Sequence, residues 1–250
     1  MRPHVHVVGF GTGPQHLTRE AVRALQDSDY VLAVRKHDDD DLLRVRRAIC
    51  AEIGLELVEV RDPERDRDDP SDYPGAVRDW HAQRVQVFAD VVAERGGRAA
   101  FLVWGDPSLY DSTLRVVGGM AADPRLAGLG WDVVPGISAP QLLAARHRIV
   151  LHPVGVPVHV TTARRLRAAV DAGQRNIVVM LGSEPSLDLL DQLPSWSIWW
   201  GANLGSVGEQ LHAGPVREVL PRIREARARA RAVAGWVMDV YLLRAPEDDA

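Results

Sequence analysis

The sequence predicts an α/β protein with two domains: a mostly parallel N-terminal sheet with helices on both faces, followed by a C-terminal mixed-sheet α/β domain. In the first half, short apolar runs alternate with helical patterns, as they do in parallel sheets whose crossover connections are helices. Turns containing glycine or proline follow three of these runs. In the second half, the apolar runs are interleaved with shorter helices, which suits a sheet with a different strand order.

Five strands are predicted in the first half, at residues 5–8, 30–34, 55–60, 99–103 and 131–134. Helical patterns lie between them, at residues 16–25, 42–53, 73–94 and 112–120. Residues 61–72 carry many charges of both signs and two prolines. We therefore expect an exposed loop there.

The second half contains five apolar segments that we interpret as strands, at residues 158–161, 177–181, 197–200, 216–219 and 236–243. An arginine-rich helix is predicted at residues 222–231. Residues 135–140 form a natural hinge because they begin with a Pro-Gly turn. The predicted domains are therefore residues 1–138 and 139–250.

Composition excludes several classes of protein. Thirty Lys and Arg against 34 Asp and Glu give a net charge of −4, so we expect no nucleic-acid partner. The single cysteine, Cys50, excludes an internal disulfide framework and fits a reducing compartment. It lies in an amphipathic pattern, so we expect it to be buried. The first residues carry no signal-peptide pattern, and no run approaches 18 apolar residues. We expect a cytoplasmic protein with no membrane partner.

A Gly-Asp-Pro turn, residues 105–107, follows the predicted strand 99–103. Open α/β sheets bind ligands at such strand ends. Gly105 lets the backbone approach a ligand closely, Pro107 stiffens the turn, and Asp106 offers a carboxylate. The alternative is an ordinary strand-to-helix loop with a capping aspartate.

The N-terminal loop Gly9-Phe10-Gly11-Thr12-Gly13-Pro14 is similar to a dinucleotide fingerprint but differs from it in detail. The fingerprint needs a third glycine three residues after the second, and that position holds Pro14. The acidic residue expected after the second strand is also missing, because basic residues 35–37 stand there. An NADP-binding oxidoreductase therefore remains only a weaker alternative.

Together with the turn Pro135-Gly136-Ile137-Ser138-Ala139, these segments resemble the tetrapyrrole methylases, the class III methyltransferases that use S-adenosylmethionine (SAM). Further segments are similar to the branch of the family that methylates a precorrin with release of acetate: Asp79-Trp80-His81, Trp104 to Thr113, Ala144 to Ile149, Trp200 to Gly205 and Gly235 to Leu243. The resemblance covers essentially the whole chain. It implies a two-domain fold with the active site in the cleft between the domains.

The resemblance also implies where SAM binds. In the first domain Asp106 would pair with the methionine ammonium, and Trp104, Gly105, Leu109, Ser112 and Thr113 would shape the pocket. The second domain would line the adenosine through Met180, Leu181, Asn203, Leu204 and residues 237–240. For Ser112 and Thr113 the alternative role is capping of the following helix.

The implied substrate is precorrin-5, methylated at ring carbon 1 with loss of a two-carbon fragment as acetate. In the family the glycine loop faces the tetrapyrrole, which assigns Gly11, Gly13 and Pro14 to the substrate. Precorrins are polycarboxylates, so nearby basic residues are candidates for binding the acid arms: Lys36 and Arg148 foremost, with Arg35 and Arg146.

Acetate release needs water and a group that activates it. Asp111 is the preferred candidate, followed by Tyr110, and then by His81 and His147. The alternative for Asp111 is a cap of the following helix, a role as well supported by the sequence.

No metal is expected. The acidic run 38–41 is better explained by a helix start and solvation. His147 and His152 are five residues apart, which does not suit one helical metal site. His4 and His6 would share a strand face, but no carboxylate or cysteine motif accompanies them in the sequence.

Four other functions stay open: another precorrin methyltransferase, a diphthine-type enzyme that methylates a protein side chain, the oxidoreductase considered above, and a ligand-binding module without turnover. The run from Trp104 to Asp111 argues against the diphthine-type enzyme. A homodimer is the expected assembly, although the sequence does not fix it.

Overall fold

A computed structural model describes residues 2–35, 41–63 and 73–246. The chain divides into two compact units, Met1–Ile137 and Ser138–Ala250. The boundary predicted from the sequence lies one residue later.

The first unit contains a five-stranded, entirely parallel sheet, which confirms the predicted architecture. Its strands are β1 (His4–Gly9), β2 (Tyr30–Arg35), β3 (Glu56–Arg61), β4 (Arg98–Val103) and β5 (Gly130–Val134). Its α-helices are α1 (Arg19–Gln26), α2 (Asp41–Ile53), α3 (Tyr73–Arg95) and α4 (Thr113–Ala121). The strand order is β3-β2-β4-β1-β5, so the carboxyl ends of β4, β1 and β5 are neighbours.

Both faces of this sheet are covered. Val5 and Val7 belong to one buried cluster and Val8 to another, as the alternation of side chains along a strand requires. Cys50 is buried in the second cluster, as predicted. Burial raises the pKa of its thiol to about 11, which makes it a small apolar residue rather than a nucleophile.

The first helix begins later than predicted. Residues Pro14–His16 form a 3₁₀ turn, and α1 starts only at Arg19. The cause is Thr18, whose side chain accepts a hydrogen bond from the backbone N of Ala21 over 3.0 Å. Thr18 is therefore the N-cap of α1.

The second unit holds the predicted mixed sheet. Its strands are β6 (His159–Thr162), β7 (Asn176–Met180), β8 (Ser197–Ala202), β9 (Gln210–Pro215) and β10 (Asp239–Arg244). Its α-helices are α5 (Ala139–His147), α6 (Leu166–Asp171), α7 (Glu184–Leu190) and α8 (Val216–Ala234). The order is β6-β7-β10-β8-β9; β6 pairs with β7 in parallel, and the other pairs are antiparallel.

The predicted strand at residues 216–219 is wrong, because these residues form the first turn of α8. Val216, Val219 and Ile223 are all buried on that helix, which is helical and not strand spacing. The strand precedes the helix: within the described ranges β9 is an edge strand that pairs with β8 alone. It was missed because its sequence, Gln-Leu-His-Ala-Gly-Pro, has no β-branched residue and ends in two turn residues.

Among the described residues, no helix combines the length and apolar character needed to cross a bilayer.

Candidate active site

Three turns meet at the carboxyl ends of β4, β1 and β5. Gly11 and Gly105 exchange two backbone hydrogen bonds: Gly11 N donates to Gly105 O over 3.2 Å, and Gly105 N donates to Gly11 O over 2.7 Å. Both have positive φ, 66° and 69°, which glycine adopts without strain. Gly136, after β5, has no room for a side chain, because a Cβ there would lie 2.1 Å from Gly105 O and 2.9 Å from the Cα of Gly9. The glycines thus allow the three turns to be in backbone contact.

The carboxylate of Asp106 ties two of these turns together. Its Oδ1 accepts hydrogen bonds from the backbone N of Ser108, over 2.8 Å, and from the Ser108 hydroxyl. Its Oδ2 accepts from the backbone N of Gly136 over 3.0 Å. Burial raises the pKa of Asp106, but these hydrogen bonds outweigh it and lower the pKa below the ordinary value. The group is therefore an ionised carboxylate at neutral pH.

Asp106 also keeps room for one more donor. A carboxylate offers about four lone-pair sites, and three are used in these bonds. Beside it, a Cβ built on Gly105 would meet no atom within 4 Å. An ionised acceptor next to open space is an arrangement that can bind a cationic group of a ligand.

The turn that enters α4 holds the remaining candidates of this region. Tyr110 is half exposed and has a positive φ of 51°. Asp111 Oδ1 accepts a hydrogen bond from the backbone N of Thr113 over 2.6 Å. Asp111 thus satisfies the first backbone N–H of α4 through one of its two oxygens, from the position before the N-cap. Ser112 occupies the N-cap position but makes no side-chain capping bond, so the capping role considered for its hydroxyl is absent. The Ser112 hydroxyl accepts from the Arg84 guanidinium over 3.4 Å.

The glycine loop ends in the 3₁₀ turn, where His16 N donates to Gly13 O over 3.0 Å and Pro14 stands at the first position. The hydroxyl of buried Thr12 lies 3.0 Å from His16 Nδ1. A dinucleotide site would need this loop to lead directly into a helix N-terminus. Here α1 begins only at Arg19, which disfavours the oxidoreductase alternative.

Trp104, directly after β4, is partly buried. Its ring meets the buried ring of Phe10 edge-on, with centroids 5.5 Å apart. The Arg46 guanidinium lies over Phe10, 5.7 Å from its centroid, and donates to Leu102 O over 2.9 Å. The Trp104 ring is therefore held by packing and keeps an accessible part.

In the second unit, Asn203 closes the turn after β8. Its Oδ1 accepts from Met238 N over 2.9 Å, its own N donates to Met238 O over 2.9 Å, and its Nδ2 donates to Trp236 O over 3.2 Å. Asn203 is buried, as is Leu204. The polar groups of Asn203 are thus used to hold the segment before β10.

Met180 and Leu181, at the end of β7, form a second predicted patch of this unit. Leu181 is 56% exposed with a positive φ of 55°. The next residue, Gly182, lies against Asp239, whose Oδ1 would be 2.3 Å from a Cβ at that position. Asp239 is fully buried and pairs with Arg227 Nε over 3.0 Å. Burial raises the pKa of Asp239, and the Arg227 charge only partly offsets that effect. Sequence reasoning missed this ion pair, since nothing in the spacing of the two residues signals it.

Backbone strain coincides with the predicted residues. In the described part of the chain, four non-glycine residues have positive φ: Tyr110, Arg148, Leu181 and Asn203. All four belong to the predicted site set. Left-handed backbone in non-glycine residues costs free energy and concentrates at functional sites. For Arg148 a structural reason also exists, because it is the C-cap of α5.

Of the basic candidates in the second unit, Arg148 has an exposed side chain that forms no ion pair with the described residues. Arg146 Nε donates to Glu209 Oε1 over 3.0 Å. His147 Nε2 lies 3.0 Å from the carbonyl oxygen of Trp200. Burial lowers the pKa of His147, and this hydrogen bond only partly compensates. His147 is thus a neutral structural residue at neutral pH.

The substrate role predicted for Lys36 and the water-activating role considered for His81 are not tested by the structure. Lys36, together with residues 38–40, lies outside the described residues, so its substrate role stays a prediction. In the first unit His81 Nε2 lies 3.2 Å from the guanidinium of Arg115 on α4.

The sequence profile of the Tetrapyrrole (Corrin/Porphyrin) Methylases matches residues 4–220. A curated relative from Sinorhizobium sp., precorrin-6A synthase [deacetylating], is 41% identical over 251 aligned residues, which cover 97% of this chain and 95% of the relative.

Solved structures with a similar fold come from related proteins. The crystal structure of a cobalamin synthesis related protein (CobF) from Corynebacterium diphtheriae superposes with a TM-score of 0.82 at 35% identity, covering 98% of this chain and 99% of that one. A uroporphyrin-III C-methyl transferase from Thermus thermophilus, complexed with S-adenyl homocysteine, has a TM-score of 0.62 at 19% identity and covers 96% and 97% of the two chains. The latter similarity concerns the fold.

Proposed function

The chain belongs to the tetrapyrrole (corrin/porphyrin) methylase family, and from this premise we propose that it is the SAM-dependent enzyme that methylates precorrin-5 at ring carbon 1 and releases acetate. The observation that carries the proposal is the 41% identity to a deacetylating precorrin-6A synthase over 97% of the chain. The three-turn arrangement of the first unit, with an ionised Asp106 beside open space, supports it.

We propose that SAM binds to the first unit at the end of β4. Asp106 would receive the ammonium group with its remaining lone pair, and Trp104 would pack against the ligand with the accessible part of its ring. Gly105 leaves the necessary space. The other contacts proposed in this unit are Leu109, Ser112 and Thr113.

In the second unit we propose that the adenosine contacts Met180, Leu181, Asn203 and Leu204. The side chain of Leu181 is exposed and apolar, which suits packing against a base. Because the polar groups of Asn203 are used within the turn, its proposed role is to hold the local backbone, which would offer its own N–H and C=O groups to the ligand.

When bound, SAM supplies an activated methyl group, which the electron-rich ring carbon of the precorrin takes as the carbon–sulfur bond breaks. The protein contributes alignment and exclusion of water. Gly11, Gly13 and Pro14 would contact the tetrapyrrole, and Lys36 and Arg148 would bind its carboxylate arms.

Release of acetate needs a proton acceptor for water. We propose Asp111 for this role, with Tyr110 as a neighbouring group. One oxygen of Asp111 accepts from the first backbone N–H of α4, which fixes the carboxylate, and the side chain is exposed. The second oxygen would accept the proton from water.

We also propose that the enzyme is a cytoplasmic homodimer that acts on a small molecule and uses no metal in methyl transfer. Light scattering on the eluting peak of a sizing column measures the assembly. A monomer mass would reject the dimer without touching the proposed reaction.

The reaction is tested by incubating the purified protein with SAM and precorrin-5 and analysing the products by mass spectrometry. We expect the tetrapyrrole to gain one methyl group and to lose its two-carbon fragment, with acetate and S-adenosylhomocysteine formed in equal amounts. Methyl gain without acetate would instead indicate another precorrin methyltransferase. Binding of both ligands without turnover would indicate a ligand-binding module.

The matched variants are Asp106→Ala and Asp171→Ala. Asp171 is an exposed carboxylate on α6, 3.7 Å from Arg167, so its removal controls for loss of one negative charge. We expect Asp171→Ala to turn over as the parent protein does and Asp106→Ala to need more SAM. Equal SAM dependence in both variants would remove Asp106 from the proposed site.

A further inference from the structure

A cluster of two histidines and an aspartate lies at the opposite end of the first-unit sheet from the three turns. His4 and His6 stand at the start of β1, on the same face of the strand because they are two residues apart. In the parallel pairing of β1 with β5, His6 is opposite Asp132 and His4 is opposite Gly130. The cluster is thus built on β1 and on its neighbour β5, an edge strand of the sheet whose Asp132 side chain is exposed.

The two histidine side chains converge on the Asp132 carboxylate. His4 Nε2 lies 2.9 Å from Asp132 Oδ2, and His6 Nδ1 lies 2.8 Å from Oδ1. The two imidazole rings are 4.6 Å apart. One ligand atom from each residue lies within 4.8 Å of the others. Gly130 makes room for this, because a Cβ there would be 2.7 Å from His4 Nδ1.

Two charged residues lie beside the more buried histidine. His6 Nε2 lies 3.5 Å from Asp27 Oδ2 and 3.5 Å from the guanidinium of Arg98. Asp27 and Arg98 also form an ion pair with each other. A carboxylate near the second ring nitrogen is the usual outer partner of a metal-bound histidine. At 3.5 Å the Asp27 oxygen is beyond ordinary hydrogen-bond length, so Asp27 contributes negative charge beside His6 and does not fix its tautomer.

We propose that His4, His6 and Asp132 form a binding site for a divalent first-row cation of the zinc type. Two imidazole nitrogens and one carboxylate oxygen are ligands that Zn²⁺ accepts in open sites, with water in the fourth position. Mg²⁺ and Ca²⁺ prefer all-oxygen sites. For His4 and His6, the expectation of no metal rested on the absence of a carboxylate or cysteine motif beside them in the sequence. Asp132 supplies the carboxylate from 126 residues away from His6.

The site can open to admit the cation. Zinc–nitrogen distances are about 2.0–2.1 Å, and ligand atoms placed around a cation at that distance stand farther apart than two hydrogen-bonded atoms. The histidine nitrogens and the Asp132 oxygens, which are at hydrogen-bonding distances in this structure, must therefore separate by a few tenths of an ångström. The His4 side chain is 27% exposed and that of Asp132 49% exposed, so both can move and solvent can reach the site. His6, with 7% exposure, is the fixed point.

The experiment uses the full chain without a histidine tag, treated with a chelator and then dialysed. Zinc chloride is titrated by calorimetry, and cobalt chloride is titrated while the visible absorption of the cation is recorded. We expect saturable binding of one cation per chain, cobalt bands typical of nitrogen and oxygen ligands in a low-coordinate site, and no binding of magnesium. Zinc should also raise the melting temperature.

The ligand variants are His4→Gln and Asp132→Asn, chosen because both side chains are partly exposed and their replacement should leave the fold intact. The control is His152→Gln. His152 is an exposed histidine of the second unit whose Nδ1 lies 3.3 Å from the carbonyl oxygen of the adjacent Pro153. Loss of an outer partner already lowers metal affinity by about 10–100-fold. We therefore expect at least a tenfold loss in each ligand variant and none in the control.

Two results would overturn the proposal. Absence of saturable zinc binding up to millimolar concentration would mean that the three groups are joined by hydrogen bonds only. Equal binding in the parent protein, His4→Gln and Asp132→Asn would place the cation elsewhere. Circular dichroism of each metal-free variant verifies that the comparison is between folded proteins.

Discussion

Removal of the Asp106 carboxylate should weaken SAM binding through loss of one charge-assisted hydrogen bond. Three of about four lone-pair sites of this group are already used by Ser108 and Gly136, so one remains for the ligand ammonium. Such a bond contributes about 1.5–3 kcal/mol. We therefore expect Asp106→Ala to raise the Kd of S-adenosylhomocysteine by about 10- to 160-fold.

The same substitution also loosens the turns, and the assay must separate the two effects. Without the carboxylate, the backbone N–H groups of Ser108 and Gly136 lose their acceptor, at a cost of about 1–3 kcal/mol each when buried and less where water reaches them. Measuring the Kd of two ligands by calorimetry separates loss of the ammonium contact from loosening of the turns. 5′-Methylthioadenosine has the adenosine and sulfur of S-adenosylhomocysteine but no ammonium group.

If Asp106 pairs with the ammonium, Asp106→Ala should weaken S-adenosylhomocysteine and leave methylthioadenosine nearly unchanged. Asp106→Asn should also weaken S-adenosylhomocysteine selectively, because it has no charge, although it keeps only one of the two oxygens that accept from Ser108 and Gly136. Ser108→Ala, which removes only the hydroxyl bond to Asp106, should bind both ligands like the parent protein. Equal weakening of both ligands in Asp106→Ala would refute direct pairing and make Asp106 a positioning residue.

Three further outcomes are expected. Gly136→Ala should lower the free energy of unfolding by about 1–3 kcal/mol or more in urea titrations, because its Cβ would lie 2.1 Å from a carbonyl oxygen; Gly118→Ala, an open helical site, should instead raise it by about 0.5–1 kcal/mol. Asp111→Asn, which keeps a capping oxygen, should still transfer the methyl group but accumulate a product that retains the two-carbon fragment; normal acetate release would reject Asp111 as the base. The lowered pKa of His147 means that the unfolded chain binds more protons, so stability should fall as pH drops through about 6.5, and His147→Gln should flatten this acid-side loss in urea titrations at pH 5–8.

The strands of the first unit were predictable because each is a short apolar run flanked by turn residues. The sequence prediction at residues 5–8 corresponds to β1, His4–Gly9, and that at 99–103 to β4, Arg98–Val103. The start of α1 was not predictable from apolar spacing alone. Residues Pro14–His16 form a 3₁₀ turn, and the side chain of Thr18 caps the helix that follows. The spacing of apolar residues does not show whether the helix begins at this turn or after Thr18.

In the second unit, one helical segment was wrongly predicted as a strand. Residues 216–219, with two valines around a charged pair, fit a strand as well as a helix when they are read alone. The segment is helical because the apolar positions continue at helical spacing beyond residue 219. Val216, Val219 and Ile223 are buried on one face of α8. The edge strand β9 has little apolar character of its own, and its partner β8 supplies the pairing.

For the candidate site, the sequence predicted which turns contain the candidate residues but not how these turns contact one another. Gly105 and Asp106 were identified as a strand-end turn, and Gly136 as part of the hinge. The bond from Gly136 N to Asp106 Oδ2 links residues that are 30 positions apart. The contact of Asp132 with His4 and His6 spans still more of the chain. Such contacts follow from strand register, which a single sequence does not encode locally.

One register accounts for both ends of the first-unit sheet. The pairing that sets His6 opposite Asp132 also aligns the carboxyl ends of β1 and β5, and β1 is aligned with β4 so that Gly11 and Gly105 can exchange their two bonds. A slip of one residue would move the turns past each other by about 3.3 Å and turn His6 to the other face of the sheet. It would break the three-turn contact and the histidine–aspartate cluster together. A cation bound by that cluster would thus favour the same register that the proposed SAM site requires.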